Sequence, residues 1–201
     1  MLILCSNGLS SNKIIAALKE RVKSLKTSAL VVTADNEYKE KNYHVTRCIK
    51  ELESLSLSVD IFDIDLQDPK LLLNYDVVEF IGGNPYYLLN SIRVNKAEEI
   101  LKQIADEKVL IGWSAAAFVF SPSLELVNKY SPEMNFLNLK DLKGLGLTNI
   151  EVLPHYSKFH NKLDGFEEIC SIYEKQKNIN VIRLNDGEAI LIDNNKESVT
   201  L

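Results

Sequence analysis

The stretch Val109-Leu110-Ile111-Gly112-Trp113-Ser114-Ala115-Ala116 decides which fold the sequence predicts. Its apolar start predicts a buried strand, and the small residues that follow predict a sharp turn into a helix. Such a turn holds a serine hydroxyl out of the backbone and aims the first amides of the helix at charge that develops beside it. Ser114 is therefore a candidate nucleophile, although a small-residue turn without any chemistry has the same pattern.

Composition and charge limit the kinds of protein that the chain can be. The 201 residues are 46% hydrophobic and 25% charged, which suits a single domain, residues 1–201, with a sizeable core. The net charge of -5 predicts that neither nucleic acid nor an anionic membrane is a partner. Residues 2–4 are too short an apolar run for a signal peptide or a membrane span, so a cytoplasmic location is expected. Cys5, Cys48 and Cys170 are widely spaced, which favours reduced core thiols over disulfides or zinc ligands.

Short β-branched runs alternate with longer amphipathic stretches, which predicts βαβ units around a mostly parallel sheet. The predicted strands are 2–5, 29–33, 59–62, 77–81, 109–111 and 150–153, followed by a hairpin of 181–184 and 189–192 around Asp186-Gly187. The predicted helices are 11–25, 38–55, 86–105 and 166–177. Residues 121–146 lack periodicity, and a loop of this length in a compact domain is usually functional.

Three segments follow predicted strands at their carboxyl ends, the edge where open α/β sheets form ligand sites. The first is Gly82-Gly83-Asn84-Pro85, whose glycines allow close approach of a ligand and whose proline suits the first turn of a helix. The second is the Ser114 turn, and the third is Pro154-His155-Tyr156. A plain turn also explains the first segment, which lacks the complete glycine pattern of a dinucleotide site and the lysine of a P-loop.

A serine nucleophile needs a nearby base, because its hydroxyl is a weak nucleophile at neutral pH. His155 alone follows a predicted strand, whereas His44 falls in a predicted helix and His160 in a polar stretch. His155 is therefore the predicted base, and a carboxylate should hold its ring in the productive tautomer. The candidates for that carboxylate are Asp186, Glu188, Asp164, Glu167 and Glu168. Asp-Gly is also a favoured hairpin turn, which gives Asp186 an alternative explanation.

Five short motifs occur in an order that resembles a known family. They are Ile81-Gly82-Gly83-Asn84, Gly112-x-Ser114-Ala115, Gly144-Leu145-Gly146-Leu147, Pro154-His155-Tyr156 and Asp186-Gly187. They resemble the serine peptidases related to aspartyl dipeptidase (peptidase E) and cyanophycinase, over nearly the whole chain. The resemblance implies a class I glutamine amidotransferase-like fold, an α/β three-layer sandwich with a mostly parallel, doubly wound sheet and a nucleophile elbow.

The resemblance also implies acyl transfer to water, with short peptides as substrates and with no cofactor and no metal. Ser114 would be the nucleophile and His155 the general base. Asp186 matches the position at which aspartyl dipeptidase has a glutamate that completes its triad. Backbone amides of Gly83 and Ala115 would form the oxyanion hole.

Substrate contacts are expected from Gly82 and Asn84 beside the proposed oxyanion hole, and from Glu125 in the long loop. The segment 122–129 lacks the arginine and the Asn-Asp pair that aspartyl dipeptidase carries after its elbow. Glu125 would repel an acidic first residue, so a preference for Asp-X dipeptides is not expected. Glu125 and Glu133 either receive an amino group or a basic side chain, or are simply solvated.

Three functions remain open at the level of sequence. The first is a serine dipeptidase or exopeptidase, acting as a monomer or homodimer, whose long loop 121–146 restricts it to short peptides. The second is a binding protein whose activity is lost through Ala116, where the family usually has glycine, and through Lys129. The third is an amidase of the glutamine amidotransferase class, which is disfavoured because that chemistry uses a cysteine at the elbow.

Overall fold

A mostly parallel sheet forms the middle layer of the protein. This computed structural model describes residues 1–193 and 198–201, without the side chains of 198 and 199. The strands are β1 (Leu2–Cys5), β2 (Thr27–Val31), β3 (Ser58–Phe62), β4 (Val77–Phe80), β5 (Val109–Trp113), β6 (Glu151–Leu153), β7 (Val181–Arg183), β8 (Ala189–Ile192) and β9 (Ser198–Thr200). Among these described residues, seven strands follow the order β3-β2-β4-β5-β1-β8-β9. The first five are parallel, β8 and β9 are antiparallel, and β6 pairs with β7 in a separate parallel sheet.

Helices cover both faces of this sheet. They are α1 (Asn12–Val22), α2 (Val45–Ser54), α3 (Pro85–Val94), α4 (Glu98–Glu107), α5 (Ala115–Phe120), α6 (Glu125–Tyr130), α7 (Tyr156–Lys162) and α8 (Phe166–Lys177). Short 3-10 turns lie at Lys39–Lys41, Pro69–Asn74 and Pro132–Met134.

Alternation along the strands separates two apolar cores. On β1, Leu2 and Leu4 pack with α3, α4 and α5, whereas Ile3 and Cys5 pack with α1 and α2. Successive side chains of a strand point to opposite faces, so a strand buried on both faces is apolar throughout. The α/β class, the mostly parallel sheet and the helical layers on its two faces are thereby confirmed.

The predicted hairpin of 181–184 and 189–192 is wrong. The first half pairs in parallel with β6, and the second half pairs antiparallel with β1 in the main sheet. Asp186-Gly187 does form a turn, but that turn connects two sheets. A local turn signal cannot reveal this arrangement, because the partner strands lie far away along the chain.

Two predicted helices and the predicted long loop are more divided than periodicity indicates. The stretch 86–105 breaks into α3 and α4 at Lys96, whose positive φ of 56° interrupts the helix. The stretch 38–55 contains a 3-10 turn before α2 begins at Val45. The expected loop 121–146 contains α6 and a further 3-10 turn. Apolar spacing continues across such breaks, so periodicity alone does not locate them.

None of the helices in the described part of the chain combines the length and the apolar character that a bilayer-spanning segment requires.

Replacement of Leu30 by alanine tests the packing of the sheet. Leu30 is fully buried on β2, between β3 and β4. We expect Leu30→Ala to lower the free energy of unfolding by about 2–5 kcal/mol, because it removes buried methyl groups and leaves a cavity. Urea denaturation measures the change. Leu66→Ala is the matched control, since Leu66 is 83% exposed and its loss should change the free energy by less than about 0.5 kcal/mol. Equal effects would contradict this assignment of the core.

Candidate active site

The carboxyl ends of β1, β2, β4 and β5 meet at one edge of the sheet, because these strands are parallel neighbours. A cleft of about 620 Å³ opens at this edge. Its walls include Gly82, Gly83, Ser114, His155 and Asp186. The structure therefore brings the glycine turn and the predicted triad together in one cleft, although Gly82 and Asp186 are 104 positions apart in the sequence.

Ser114 occupies the turn between β5 and α5. Its backbone has φ 52° and ψ -110°, a conformation that residues with a side chain rarely adopt. The Ser114 amide donates to the carbonyl of Cys5 at 3.1 Å, which ties the turn to the end of β1. Ala115 is the first residue of α5, so its amide is among those that have no partner within the helix. This is the strained geometry of a nucleophile elbow.

The glycine turn packs against the elbow too closely for any side chain. A Cβ atom on Gly82 would lie 2.6 Å from the Trp113 ring and 3.0 Å from the Cβ of Ser114. A Cβ atom on Gly83 would lie 2.2 Å from the carbonyl oxygen of Ala34. Glycine is thus required at both positions by close packing, and the turn leaves its backbone beside the serine.

Asn84 has a structural role that accounts for both of its polar atoms. Its Oδ1 accepts from the amides of Tyr86 at 2.9 Å and Tyr87 at 3.0 Å, which caps the amino end of α3. Its Nδ2 donates to the carbonyl of Met134 at 2.8 Å. Asn84 lines the cleft, and its side-chain atoms already bond to the amides of α3 and to the Met134 carbonyl, so a substrate contact through this side chain stays a prediction.

The small sheet of β6 and β7 places His155 beside Asp186. Both residues follow the carboxyl ends of these parallel strands, and His155 has a left-handed backbone with φ 56°. The Nδ1 atom of His155 lies 2.5 Å from Oδ1 of Asp186. The hydroxyl of Ser6, which follows β1, donates to the same Asp186 oxygen at 2.8 Å and accepts from the His155 amide at 2.9 Å. The histidine is therefore oriented from two sides.

A link between the Ser114 hydroxyl and the other ring nitrogen of His155 is not among the hydrogen bonds of the described residues. Both groups line the same cleft. Hydrogen bonds of this kind are often long in an enzyme without substrate and shorten when a substrate binds.

Among the other candidate histidines and acids, His44 also lines the cleft, whereas two of the acids contact other groups. His44 lies edge-on against Trp113 with ring centroids 5.2 Å apart, and His160 is exposed on α7. Glu188 accepts from the amide of Asn185 at 2.8 Å. A further acid, Glu167, pairs with an arginine on β7. The structure thus brings Asp186, rather than these rivals, to His155.

Glu125 does not reach this cleft. It lies at the start of α6, where its carboxylate pairs with Lys177 of α8 at 2.6 Å. Glu125 is not among the residues that line the cleft, so the structure gives no support to its expected contact with a substrate bound beside Ser114. The reason is that the segment after the elbow folds into a helix that packs against α8 instead of covering the site.

Sequence reasoning missed Ser6 and Asp35. Ser6 follows β1, and Asp35 lies on the loop after β2 and lines the cleft. Both were within reach of the rule that ligand sites form at the carboxyl ends of parallel strands.

Comparison with known proteins identifies the family. The profile of "Peptidase family S51" matches residues 2–200. The chain belongs to peptidase family S51. It is accordingly a serine peptidase, and the resemblance seen in its five motifs is confirmed.

The relatives of this S51 peptidase are bacterial. A peptidase of Listeria monocytogenes, itself uncharacterized, is 31% identical over 183 residues, which cover 87% of this chain and 85% of that protein. Peptidase E of Shewanella putrefaciens is 26% identical over 141 residues, which cover 67% of this chain and 58% of that protein. A crystal structure of a provisionally assigned peptidase E protein from Listeria monocytogenes has a TM-score of 0.78 at 27% identity, covering 100% of this chain and 96% of that one.

Below the cleft, the S51 peptidase has a buried polar cluster between β4 and α2. Glu79 is fully buried, and neither of its carboxylate oxygens has a hydrogen-bond partner among the described residues. Cys48 and Glu51 lie close enough that the three side chains could surround a metal ion. The Arg47 guanidinium is bonded to Glu51 at 3.2 Å, and its positive charge opposes a cation there. The Nε atom of Arg47 and the Nε1 atom of Trp113 are buried donors that have no partner in the described part of the chain. Such a mixture of donors and acceptors suits water better than a metal ion.

Replacement of Glu79 by glutamine tests the charge state of this cluster. Burial, and then the negative charge of Glu51, raise the pKa of Glu79 from 4.5 to about 8. The native state therefore keeps a proton that the unfolded state loses, and this contribution to stability is lost as the pH rises toward about 8. In Glu79→Gln, we expect the free energy of unfolding to decrease less than in the parent as the pH rises from about 5 to about 8.

Urea denaturation across that pH interval measures the difference between variant and parent. Glu53→Gln is the control, because Glu53 is exposed on the same helix and its replacement should leave the pH dependence of the parent unchanged. A difference between Glu79→Gln and parent that stays constant with pH would contradict the assignment of a buried, protonated Glu79.

Proposed function

We propose that this serine peptidase is a dipeptidase or exopeptidase that hydrolyses short peptides through an acyl-enzyme on Ser114. The observation that carries the proposal is the contact of 2.5 Å between His155 and Asp186 in the same cleft as the strained Ser114 turn. A carboxylate on Nδ1 fixes the tautomer in which Nε2 is free to accept a proton. This arrangement supports a general base directed toward the serine.

The first half of the proposed reaction forms the acyl-enzyme. The Ser114 hydroxyl oxygen attacks the peptide carbonyl carbon, and Nε2 of His155 accepts the hydroxyl proton. His155 then gives this proton to the leaving amine as the C–N bond breaks, which leaves an ester on Ser114. In the second half, His155 takes a proton from water, the resulting hydroxide attacks the ester, and the proton returns to the Ser114 oxygen as the carboxylic acid leaves.

Backbone amides would stabilise the oxyanion of each tetrahedral intermediate. The amide of Ala115 lies at the start of α5, and the glycine turn that contains Gly83 packs directly beside the elbow. Each donor of this kind contributes about 3 kcal/mol to the stability of the transition state in serine peptidases. Because the side chains at 82 and 83 are absent, a carbonyl can approach both amides closely.

The observations favour this function over the two alternatives. Ala116 is fully buried in the core on the α3 side, and Lys129 is exposed on α6, so neither residue lies on the cleft wall. A loss of activity through these two differences therefore has no structural basis. A thiol-dependent amidase is disfavoured because Cys5, the cysteine nearest to the elbow, is fully buried, and burial raises its pKa well above the ordinary value.

The size of the cleft supports short substrates. A volume of about 620 Å³ falls within the range of small-molecule sites and is open to solvent along one side. A dipeptide or tripeptide fits a space of this size, whereas a folded protein chain would need a longer groove.

Covalent labelling tests the nucleophile. A fluorophosphonate should modify the parent enzyme on Ser114, because the hydroxyl is activated by His155 and the phosphoryl oxygen occupies the oxyanion hole. Mass spectrometry should find the adduct in the parent and in Ser24→Ala, whose exposed serine lies outside the cleft, but not in Ser114→Ala or His155→Ala. An unlabelled parent, beside a reactive control hydrolase, would refute the proposed mechanism.

Replacement of Asp186 by asparagine tests the third member of the triad. Asparagine cannot hold the same tautomer of His155, so kcat for a cleaved dipeptide should fall by at least about 100-fold. The free energy of unfolding should change little, because the Asp186 side chain is 51% exposed. Steady-state kinetics give the comparison, with Asp164→Asn, which replaces an exposed acid, as the matched control. A kcat like that of the parent would show that another group orients the histidine.

A further inference from the structure

A second carboxylate, Asp35, lies in the cleft beside the glycine turn. The amide of Asn84 donates to the carbonyl of Ala34 at 2.8 Å, and a Cβ atom on Gly83 would lie 2.8 Å from the Asp35 nitrogen. Asp35 lines the same cleft as Ser114. Its backbone is therefore fixed next to one of the two proposed oxyanion donors.

The Asp35 carboxylate is held in place and negatively charged. Its Oδ1 accepts from the amides of Glu37 at 3.1 Å and Tyr38 at 3.0 Å, and its Oδ2 accepts from Nδ2 of Asn42 at 2.6 Å. Partial burial raises the pKa of Asp35, but these hydrogen bonds and the charge of Lys39 outweigh it and leave the pKa below the ordinary value. A fixed anion thus faces the cleft at neutral pH.

This anion lacks a basic partner within the described chain. Lys39, the cation that influences it, directs its ammonium to Asp63 at 3.2 Å and to Asp65 at 2.5 Å. In the described residues, no basic side-chain nitrogen lies within 4.0 Å of the Asp35 carboxylate. An ordered, ionised carboxylate on the wall of a cleft favours a cationic ligand.

The other titratable groups of the cleft do not cancel this charge. Asp186 is occupied by His155. Burial, and then the positive charge of Arg47, lower the pKa of His44, which keeps that ring neutral. Lys158 lies on α7 three residues after His155 and lines the cleft, and no salt bridge joins it to Asp35 among the described residues. The negative charge of Asp35, in the part of the cleft beside Gly83, is therefore not neutralised by these groups.

We propose that Asp35 binds the free α-ammonium group of the substrate residue whose carbonyl Ser114 attacks. This rests on the proposed function of the site. In an amino acid the α-nitrogen lies about 2.5 Å from the carbonyl carbon. The proposal directs the carbonyl oxygen to the Gly83 amide and the α-ammonium to Asp35, which neighbours Gly83 and lines the same cleft. The substrate class is then peptides with a free amino terminus, cleaved after the first residue.

In this proposal Asp35, and not Glu125, binds the amino group of the substrate. It also argues against an acidic first residue, because a carboxylate side chain would share the site with the Asp35 anion. A basic side chain of the first residue is the other source of an ammonium group. Blocking the α-amino group separates the two sources.

The test compares free and Nα-acetylated aminoacyl p-nitroanilides of alanine, leucine, phenylalanine and lysine. The parent should show kcat/KM values at least about tenfold higher for the free forms, because the charged hydrogen bond to Asp35 is lost on acetylation. Asp35→Asn, which keeps an oxygen to accept from the loop amides, should lower kcat/KM for the free forms and bring the two series together. The control Asp106→Asn, which replaces an exposed acid far from the cleft, should preserve the difference.

Binding to inactive variants gives a result that does not depend on turnover. Titration calorimetry should show that Ala-Phe binds Ser114→Ala at least about tenfold more tightly than the Ser114→Ala, Asp35→Asn double variant. Fluorophosphonate labelling of Asp35→Asn at Ser114 checks that the cleft is intact, since this probe carries no ammonium group.

Three outcomes would overturn the inference. The first is equal kcat/KM for free and acetylated substrates in the parent. The second is a ratio of free to acetylated kcat/KM that is the same in Asp35→Asn as in the parent. The third is an effect of Asp35→Asn that is confined to the acetyl-lysyl substrate, which would assign Asp35 to the binding of a basic side chain. If the parent is labelled and active but shows one of these results, the proposed function stands and the role of Asp35 fails. If Ser114 is neither labelled nor required for hydrolysis, the proposed function fails. In that case, binding of Ala-Phe that weakens in Asp35→Asn would still support a site for the amino group at Asp35.

Discussion

The hydroxyl of Ser6 connects the two sheets, and the geometry of the site depends on it. Ser6 follows β1 of the main sheet and is fully buried, while its two partners, His155 and Asp186, follow the strands of the small sheet. One hydroxyl donates and accepts at the same time, so it sets the position of the acid and of the histidine backbone together. Because the Cys5 carbonyl of β1 also accepts from the Ser114 amide, Ser114 and the His155–Asp186 pair are held at the end of the same strand.

The strands around this anchor explain why the elbow can be strained. The Ser114 turn has an unfavourable backbone conformation, and strain of this kind persists only where the surrounding structure fixes it. Here β5 is enclosed between β4 and β1, and the glycine turn after β4 packs against Trp113 and the serine. Glu79 is fully buried below this region, and its protonated state avoids an unpaired charge in the core.

Electrostatics divide the cleft into two parts with different chemistry. On one side, the carboxylate of Asp186 contacts the imidazole of His155, the pair that we propose transfers protons. On the other side, Asp35 is an anion held by backbone amides and left without a basic partner in the described chain. Two carboxylates in one site can thus serve different purposes, because one is matched by an imidazole and the other is available for a ligand.

The sequence by itself determined the alternation of most strands and helices, the turn at Ser114, the glycine turn at 82 and 83, and the position of His155 after a strand. These features depend on local apolar runs, small residues and strand ends, which are visible within a few positions. Only the tertiary structure decided that Asp186 faces His155, that Ser6 joins them, that Glu125 turns away to Lys177, and that Asp35 enters the cleft. These four features depend on how strands that are distant in the sequence pair with one another. The run 181–192 shows the reason, since its turn signal is local but its two halves pair with β6 and β1, and pairing between distant segments is fixed by burial of the whole sheet.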